Sequence, residues 1–360
     1  MGRRSLAMAM NNIFPIIKIL TISALSFVTA ILVTPILTHF LYKYRLGKKV
    51  RNEGTTPIYT SLHKKKEGTP TMGGVLIWLT VTTLAVGILF LTKWLGPDTI
   101  FSDYNFLTRK QTLLPLGILL FAAVIGLIDD LLGIFHFGRE GRGLRLREKL
   151  IIYTIISIVG AYWFYFKLDW DLIHIPFFGD FNIGWWYIPI FIFVIVASAF
   201  STNETDGLDG LVGGVLLAAF SSYAVISYAQ GRLELATFCG AIVGALLAFL
   251  WFNIHPARFF MGDTGSMSLG ITLGVIAMLT NSLFFLPFIG FILVIESLSV
   301  IVQVISKRAF HRKIFLSTPI HHHFEAKGWP ETKVTMRFWI ISGVMAVIGL
   351  ILFFIDLKLF

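Results

Sequence analysis

Five clusters of polar residues interrupt an otherwise apolar chain, and each holds side chains able to bind a cation, move a proton or grip a phosphate. Asp129 and Asp130 stand side by side at the end of the apolar run 119–128. Neighbouring carboxylates repel, and a helix C-terminus carries partial negative charge, so a helix ending there disfavours each acid by about 0.3 to 1 kcal/mol. A solvated interfacial pair is one reading. A divalent-cation ligand or proton acceptor beside phosphate is the other, and the company of further acids favours it.

Asp206 and Asp209 lie in the segment 201–210, three residues apart, so they share a face if a helix has begun there. Acids at a helix start suit the dipole and cap it, which leaves a structural role level with a ligand-binding one. Gly207 and Gly210 let a phosphate-bearing or nucleotide ligand approach the backbone closely. Asp263, within Gly262-Asp263-Thr264-Gly265-Ser266, either caps the next helix or aims a carboxylate into a cleft. His321, His322 and His323 lie in a loop as a consecutive triplet. Zinc ligands are normally spaced apart, so contact with phosphate oxygens fits these histidines better than a structural metal. Lys66 closes the run Lys64-Lys65-Lys66 before Gly68-Thr69-Pro70-Thr71, as a lipid-headgroup anchor or as a phosphate-binding lysine.

The elements that must position these residues are membrane helices. Of 360 residues, 56% are hydrophobic and 14% charged, where a soluble domain carries about a quarter charged. With a mean hydropathy of +0.79, this excludes a soluble enzyme, a disordered chain, a collagen and a disulfide scaffold. The one cysteine, Cys239, has no intrachain disulfide partner. The net charge of +10 reads as an orientation signal and an attraction to anionic lipid or phosphate, not a nucleic-acid footprint.

Ten apolar runs, near 12–40, 72–92, 112–130, 150–166, 185–201, 208–228, 235–253, 266–283, 286–306 and 336–356, predict an all-α polytopic membrane protein of about ten spans. They leave no separate soluble domain, so residues 1–360 are expected to form one transmembrane unit. The first run is long, contains Lys18 and lacks a small-residue cleavage site, which fits a signal peptide poorly, and position 6 lacks the Ser or Thr of a myristoyl signal. Twenty-one of the 30 Lys and Arg residues fall in the loops after runs one, three, seven and nine. The positive-inside rule makes those loops cytoplasmic and puts both termini outside, although Arg3 and Arg4 oppose this weakly. All five polar clusters then face the cytoplasm. Acids for a divalent cation and Lys, Arg and His for phosphate, together at a membrane surface, point to phosphoryl transfer between a soluble nucleotide and a lipid.

The ordered motifs Thr69-Pro70-Thr71-Met72-Gly73-Gly74, Asp129-Asp130, Asn203 to Gly210 and Met261-Gly262-Asp263-Thr264-Gly265-Ser266 resemble those of the polyprenyl-phosphate N-acetylhexosamine-1-phosphate transferases. The closing segment, Pro319-Ile320-His321-His322-His323-Phe324-Glu325 followed by Lys327-Gly328-Trp329-Pro330-Glu331, resembles the muramyl branch of that family. The resemblance covers nearly the whole chain. It implies a ten-helix enzyme of the bacterial inner membrane, often a homodimer. The reaction it implies is transfer of phospho-MurNAc-pentapeptide from UDP-MurNAc-pentapeptide to undecaprenyl phosphate, giving lipid I and UMP with Mg2+ as cofactor.

By motif position the resemblance makes Asp129 and Asp130 catalytic acids and Asp263 the residue that holds Mg2+. Asn203, Asp206, Asp209 and Asn253 would line the nucleotide cleft, and Phe260 would stack on uracil. Lys66, Thr71 and Lys149 match positions near nucleotide or phosphate, and His321, His322 and His323 match the family's histidine loop. The sequence departs from the family at two places. Glu204 stands where an apolar residue is usual, adding a fourth acid that is either an ion contact or a solvated side chain. Leu131-Leu132-Gly133 stands where a lysine commonly follows the paired aspartates, leaving Arg139 or Arg142 for that phosphate contact. The nearest alternative is a sister enzyme transferring GlcNAc-1-phosphate from its UDP carrier, against which the segment 321–330 argues. A secondary transporter is the alternative from another class, but transporters place coupling residues near the midplane on broken helices, not at helix ends on one face.

Overall fold

The computed structural model describes residues 3–47, 66, 68–109, 111–135 and 143–359, with side chains from Ile13 onward. Lys48, Lys49, Arg51, Lys64 and Lys65 of the orientation argument, and the expected phosphate contacts Arg139 and Arg142, lie outside the described residues. In chain order the helices are α1 (Arg3–Lys43), α2 (Val75–Leu95), α3 (Ile100–Tyr104), α4 (Leu113–Ile134), α5 (Leu146–Lys167), α6 (Tyr187–Thr205), α7 (Leu211–Ala229), α8 (Leu233–Asn253), α9 (Asp263–Leu279), α10 (Leu286–Ile289), α11 (Phe291–Phe310), α12 (Ile320–Ala326) and α13 (Glu331–Leu359).

Eight of these are long and apolar enough to cross a bilayer, and α10 with α11 forms a ninth candidate bent by 84°. The eighth run is a shorter helix than expected: α9 has 17 residues, every one of them buried. A helix enclosed by other helices need not satisfy the roughly 20-residue span that lipid contact demands. Between α5 and α6, in the stretch that separates the fourth and fifth apolar runs, the chain makes a hairpin of β1 (Leu172–Ile175) and antiparallel β2 (Gly179–Asn182). His174 of β1 reaches Asp356 at 2.6 Å and pins the hairpin to α13.

Helix α9 is the axis of the bundle, with α4, α6 and α7 packed around it. Apolar side chains have little reason to leave lipid for one another, so close backbone approach between small residues and interhelical hydrogen bonds hold such a bundle together. A Cβ on Gly270 would lie 2.8 Å from the Ser198 carbonyl oxygen of α6, and one on Gly126 of α4 would lie 2.3 Å from the Asp263 carbonyl oxygen. The Thr202, Ser268 and Thr272 hydroxyls donate to carbonyls one turn earlier, so these buried polar groups are satisfied inside their own helices. Lys18, inside the first span, is likewise provided for: its ammonium donates to the Asn105 carbonyl at 2.8 Å.

The contact between α4 and α9 sets the distance between the first and third acidic clusters. Gly126→Ala is expected to push those backbones apart, lower thermal stability by about 1 to 3 kcal/mol as overpacking does, and reduce turnover together with it. Thermal unfolding in detergent alongside an activity assay checks this; an unchanged midpoint would show that the contact is not tight.

Candidate active site

The polar clusters that are far apart in sequence meet at one end of the bundle. The end of α4 brings Asp129 and Asp130, and α4 continues one turn further to Ile134, so neither acid is the terminal residue. Neither is the solvated interfacial pair that the sequence allowed: Asp129 is 4% exposed and Asp130 fully buried. Asp129 accepts a hydrogen bond from the Leu144 N–H at 2.6 Å, and its other oxygen lies 2.9 Å from the Lys149 ammonium in the first turn of α5. The same ammonium lies 2.5 Å from Asp263, the first residue of α9. Asp263 therefore does not cap its helix. It also accepts from the Asn203 amide of α6, which in addition donates to Ser266 at 3.1 Å. Asp130 accepts from the Thr264 N–H at 3.0 Å and so holds the start of α9 against α4.

Gly262 adopts φ 73°, a left-handed backbone angle that lets the chain turn into α9. A Cβ there would collide with Asp130 and with the Thr71 hydroxyl, so Thr71, also buried, lies beside the same turn. The Gly262 N–H donates to Asp206 at 3.1 Å. Asp206 and Asp209 do not share a helical face, because α6 ends at Thr205 and α7 starts at Leu211. The intervening turn sends them to different partners, with Asp206 at Gly262 and Asp209 in a second cluster.

That second cluster gathers Lys66, Asp209, His255, Glu331 and Phe260. The Lys66 ammonium lies 2.7 Å from Asp209 and 2.5 Å from Glu331, and 5.7 Å from the centre of the Phe260 ring. His255 is 3.0 Å from the other Asp209 oxygen. Among the described residues, Asp209, His255 and Glu331 form a group of metal-capable side chains with ligand atoms within 4.8 Å of one another. Lys66 already supplies the cation for these carboxylates. Burial pushes the Asp209 carboxyl up, but the Lys66 charge and the hydrogen bonds from Lys66, Ala257 and His255 reverse this and hold it below the ordinary carboxylate value. Burial pulls the Lys66 ammonium down, and Glu331 and Asp209 more than restore it, so it stays protonated above the ordinary lysine range.

Asn253 has a framework position: its amide accepts from Gly210 N–H at 3.0 Å and donates to the Phe259 carbonyl at 2.7 Å. The histidine triplet lies on the short helix α12, not in an irregular loop; the His321 and His322 rings meet edge to face with centroids 4.1 Å apart, and the three side chains take different partners. His321 pairs with the buried Glu296 at 2.9 Å, His322 with Glu325 at 2.7 Å, and His323 accepts from Leu316 N–H at 3.1 Å. Burial lowers the His321 pKa, but Glu296, Glu325 and Glu204 outweigh it and raise the group above the usual histidine value. Glu204 thus acts on the His321 charge. His321 Nε2 faces Gly207, where a Cβ would come within 2.3 Å of it, so the triplet supports the 203–210 turn.

No role for His255, Glu331, Glu296 or Glu325 follows from the sequence motifs alone. Glu325 and Glu331 fall within the closing segment that resembles the muramyl branch, whereas the signal for His255 is weak, a polar side chain before Pro256. Glu296 carries the plainer signal of a lone acid within an apolar run.

Residues 112–281 match the family model described as Glycosyl transferase family 4, and residues 66–77 match the Phospho-N-acetylmuramoyl-pentapeptide-transferase signature 1. The chain is 39% identical over 346 residues to a phospho-N-acetylmuramoyl-pentapeptide-transferase of Chloroflexus aggregans, covering 92% of this chain and 89% of the relative. It is 38% identical over 332 residues to one from a Geobacillus species, with 91% and 95% covered. A Clostridium novyi protein of the same name is 39% identical over 326 residues, with 90% and 93% covered.

The second cluster has a definite pH signature. A carboxyl whose pKa is depressed on folding adds stability above its unfolded value, and that stability disappears as pH falls through the folded value; the raised lysine adds stability that disappears only at strongly alkaline pH. Lys66→Met is therefore expected to lower stability by up to about 3 kcal/mol near neutral pH, since it strands a buried carboxylate. The difference from the unaltered protein should begin to shrink as pH falls below the ordinary carboxylate value and be lost only once it passes the lower value at which the folded Asp209 protonates. Unfolding midpoints of both proteins across pH check this; a difference independent of pH would show that the pair is not charged.

Proposed function

The chain belongs to the phospho-N-acetylmuramoyl-pentapeptide-transferases, and from that premise we propose that it moves phospho-MurNAc-pentapeptide from UDP-MurNAc-pentapeptide to undecaprenyl phosphate, yielding lipid I and UMP. The observation that carries this reading is the convergence of Asp129 and Asp263 on one Lys149 ammonium, at 2.9 and 2.5 Å. Carboxylates gathered around a cation at the end of a membrane bundle are suited to a phosphate substrate, and lysine there can follow the phosphate as it arrives.

Mg2+ fits this donor set, because two carboxylates that face one cation offer the hard oxygen ligands it takes together with substrate phosphates. Asp263 would hold the ion, with Asp129 beside it. Its chemistry would be to neutralise charge on the pyrophosphate and on departing UMP. The chain's own groups do the remaining work. Asp129 orients the lipid phosphate or takes its proton, and that oxygen attacks the phosphorus bearing the sugar. The new P–O bond forms as the bond to the UMP oxygen breaks, and UMP leaves with the electron pair. Asn203 and Lys149 fix the Asp263 carboxylate, Asp130 fixes the start of α9, and Asp206 fixes Gly262. Lys66, Asp209 and Phe260, on the other side of that turn, bind the nucleotide. The basic loops favour the cytoplasmic face of the bacterial inner membrane for this end of the bundle, where the nucleotide donor is found.

Asp129→Asn, Asp130→Asn and Asp263→Asn are each expected to lower turnover by at least about 100-fold, the low end for a positioned acid, base or electrostatic group. Near-normal turnover in any one of them withdraws the role given to that residue. UMP release from purified protein with undecaprenyl phosphate and Mg2+ is expected with the muramyl-pentapeptide donor. Turnover of UDP-GlcNAc alone would reassign the enzyme to the GlcNAc-1-phosphate branch.

A further inference from the structure

Tyr153 belongs to none of the motifs, yet it follows Lys149 of the Asp129, Lys149 and Asp263 cluster by one helical turn. It sits on α5 four residues after Lys149, so the two side chains share one face of the helix. Helical side chains lean toward the N-terminus of their helix, and here that direction leads from Tyr153 to Lys149 and the two carboxylates. The charged groups that act on the phenol are Asp263, Asp129 and Glu204. Tyr153 is 1% exposed, and among the described residues nothing hydrogen-bonds its hydroxyl. A buried hydroxyl without a partner is destabilising, and tyrosine is not required merely to fill apolar space that phenylalanine fills as well.

We propose that Tyr153 is a further catalytic residue of the transfer reaction: its hydroxyl donates a hydrogen bond to a phosphate oxygen of the bound donor. This rests on the function proposed above. The Lys149 ammonium is held by Asp129 and Asp263. An incoming pyrophosphate competes for that ammonium, and as Lys149 turns to it the phenol one turn below gains an acceptor. The proton stays on Tyr153; the bonds made and broken are those of the transfer itself. A donor that has no partner in the ground state and gains one from the charged substrate stabilises developing charge without first giving up another bond.

The test is Tyr153→Phe, which removes one oxygen and leaves the ring. The expected result is a fall in kcat of at least about 10-fold, with KM for the UDP-linked donor within about threefold. The unfolding midpoint of the unliganded protein should be unchanged or higher, because the deleted hydroxyl makes no bond there. A structural tyrosine would show the opposite pattern, a lower midpoint with kcat retained, and that result overturns the proposal. If the phenylalanine protein does not fold, Tyr153→Gln replaces it: a side-chain N–H donor should keep more than about a tenth of native turnover, and less would overturn the assignment. The unaltered enzyme is assayed in parallel. Failure of that enzyme to release UMP defeats the proposed function, whereas native turnover in both proteins defeats only the role of Tyr153.

Discussion

The site depends on the burial of two carboxylates around one ammonium. Asp129, Asp263 and Lys149 come from three different helices, and the two acids are almost inaccessible to solvent. A carboxylate buried without a partner costs several kcal/mol, so the ends of α4, α5 and α9 cannot separate without stranding a charge. Asn203 ties in a fourth helix end through its amide. The proposed reaction centre is thus also a structural clamp, and the residues proposed to react are the ones that hold the bundle's end together.

The clamp requires helices that approach more closely than bulky side chains allow. Helix α9 supplies this with Gly270 and Gly274, which lie against α6, and with Gly265, which meets Gly74 just before α2, while Gly126 of α4 lies against the start of α9. Trp78 of α2 donates to the Thr264 hydroxyl at 3.2 Å, and that hydroxyl donates to the Ala123 carbonyl of α4 at 2.8 Å. In a membrane such hydrogen bonds and close contacts replace the hydrophobic drive that assembles a soluble core. The segment 262–266 therefore has two functions in one stretch of chain: it presents Asp263 and it provides the small residues against which α2 and α4 pack.

Much of the fold was legible in the sequence because a bilayer imposes a coarse and strict rule on helix length. The first seven apolar runs and the last each coincide with a long helix, and the ninth with the bent pair. Helix α9 came out short because burial among other helices, which hydropathy does not record, relieved it of spanning lipid. The hairpin at 172–182 was hidden for the opposite reason, since four-residue strands leave little periodic signal. At the site, Asp129, Asp263, Lys149 and Asn203 were legible as motif positions and do meet. What could not be read was partnership. Nothing in the sequence says that Lys66 pairs with Glu331, 265 residues away, or that Asn253 serves the backbone of Gly210 and Phe259. Hydrogen-bond partners depend on tertiary approach, and residue types alone leave them open.

On the proposed function, the two clusters divide the chemistry of a nucleotide-linked substrate. Lys66 with Asp209 and Glu331 pairs its charges beside an aromatic ring, and His255 there is 44% exposed, so this side is open to a base and ribose. Lys149 with Asp129 and Asp263 pairs its charges more deeply, where a phosphate must displace or share the existing partners. The turn from Asp206 to Gly262 joins the two. Each lysine is paired with carboxylates before the proposed substrate arrives and can be paired with phosphate afterwards, so no cation in either cluster need be unpaired at any stage. That continuity of pairing is what allows so much charge to be kept at the edge of an apolar bundle.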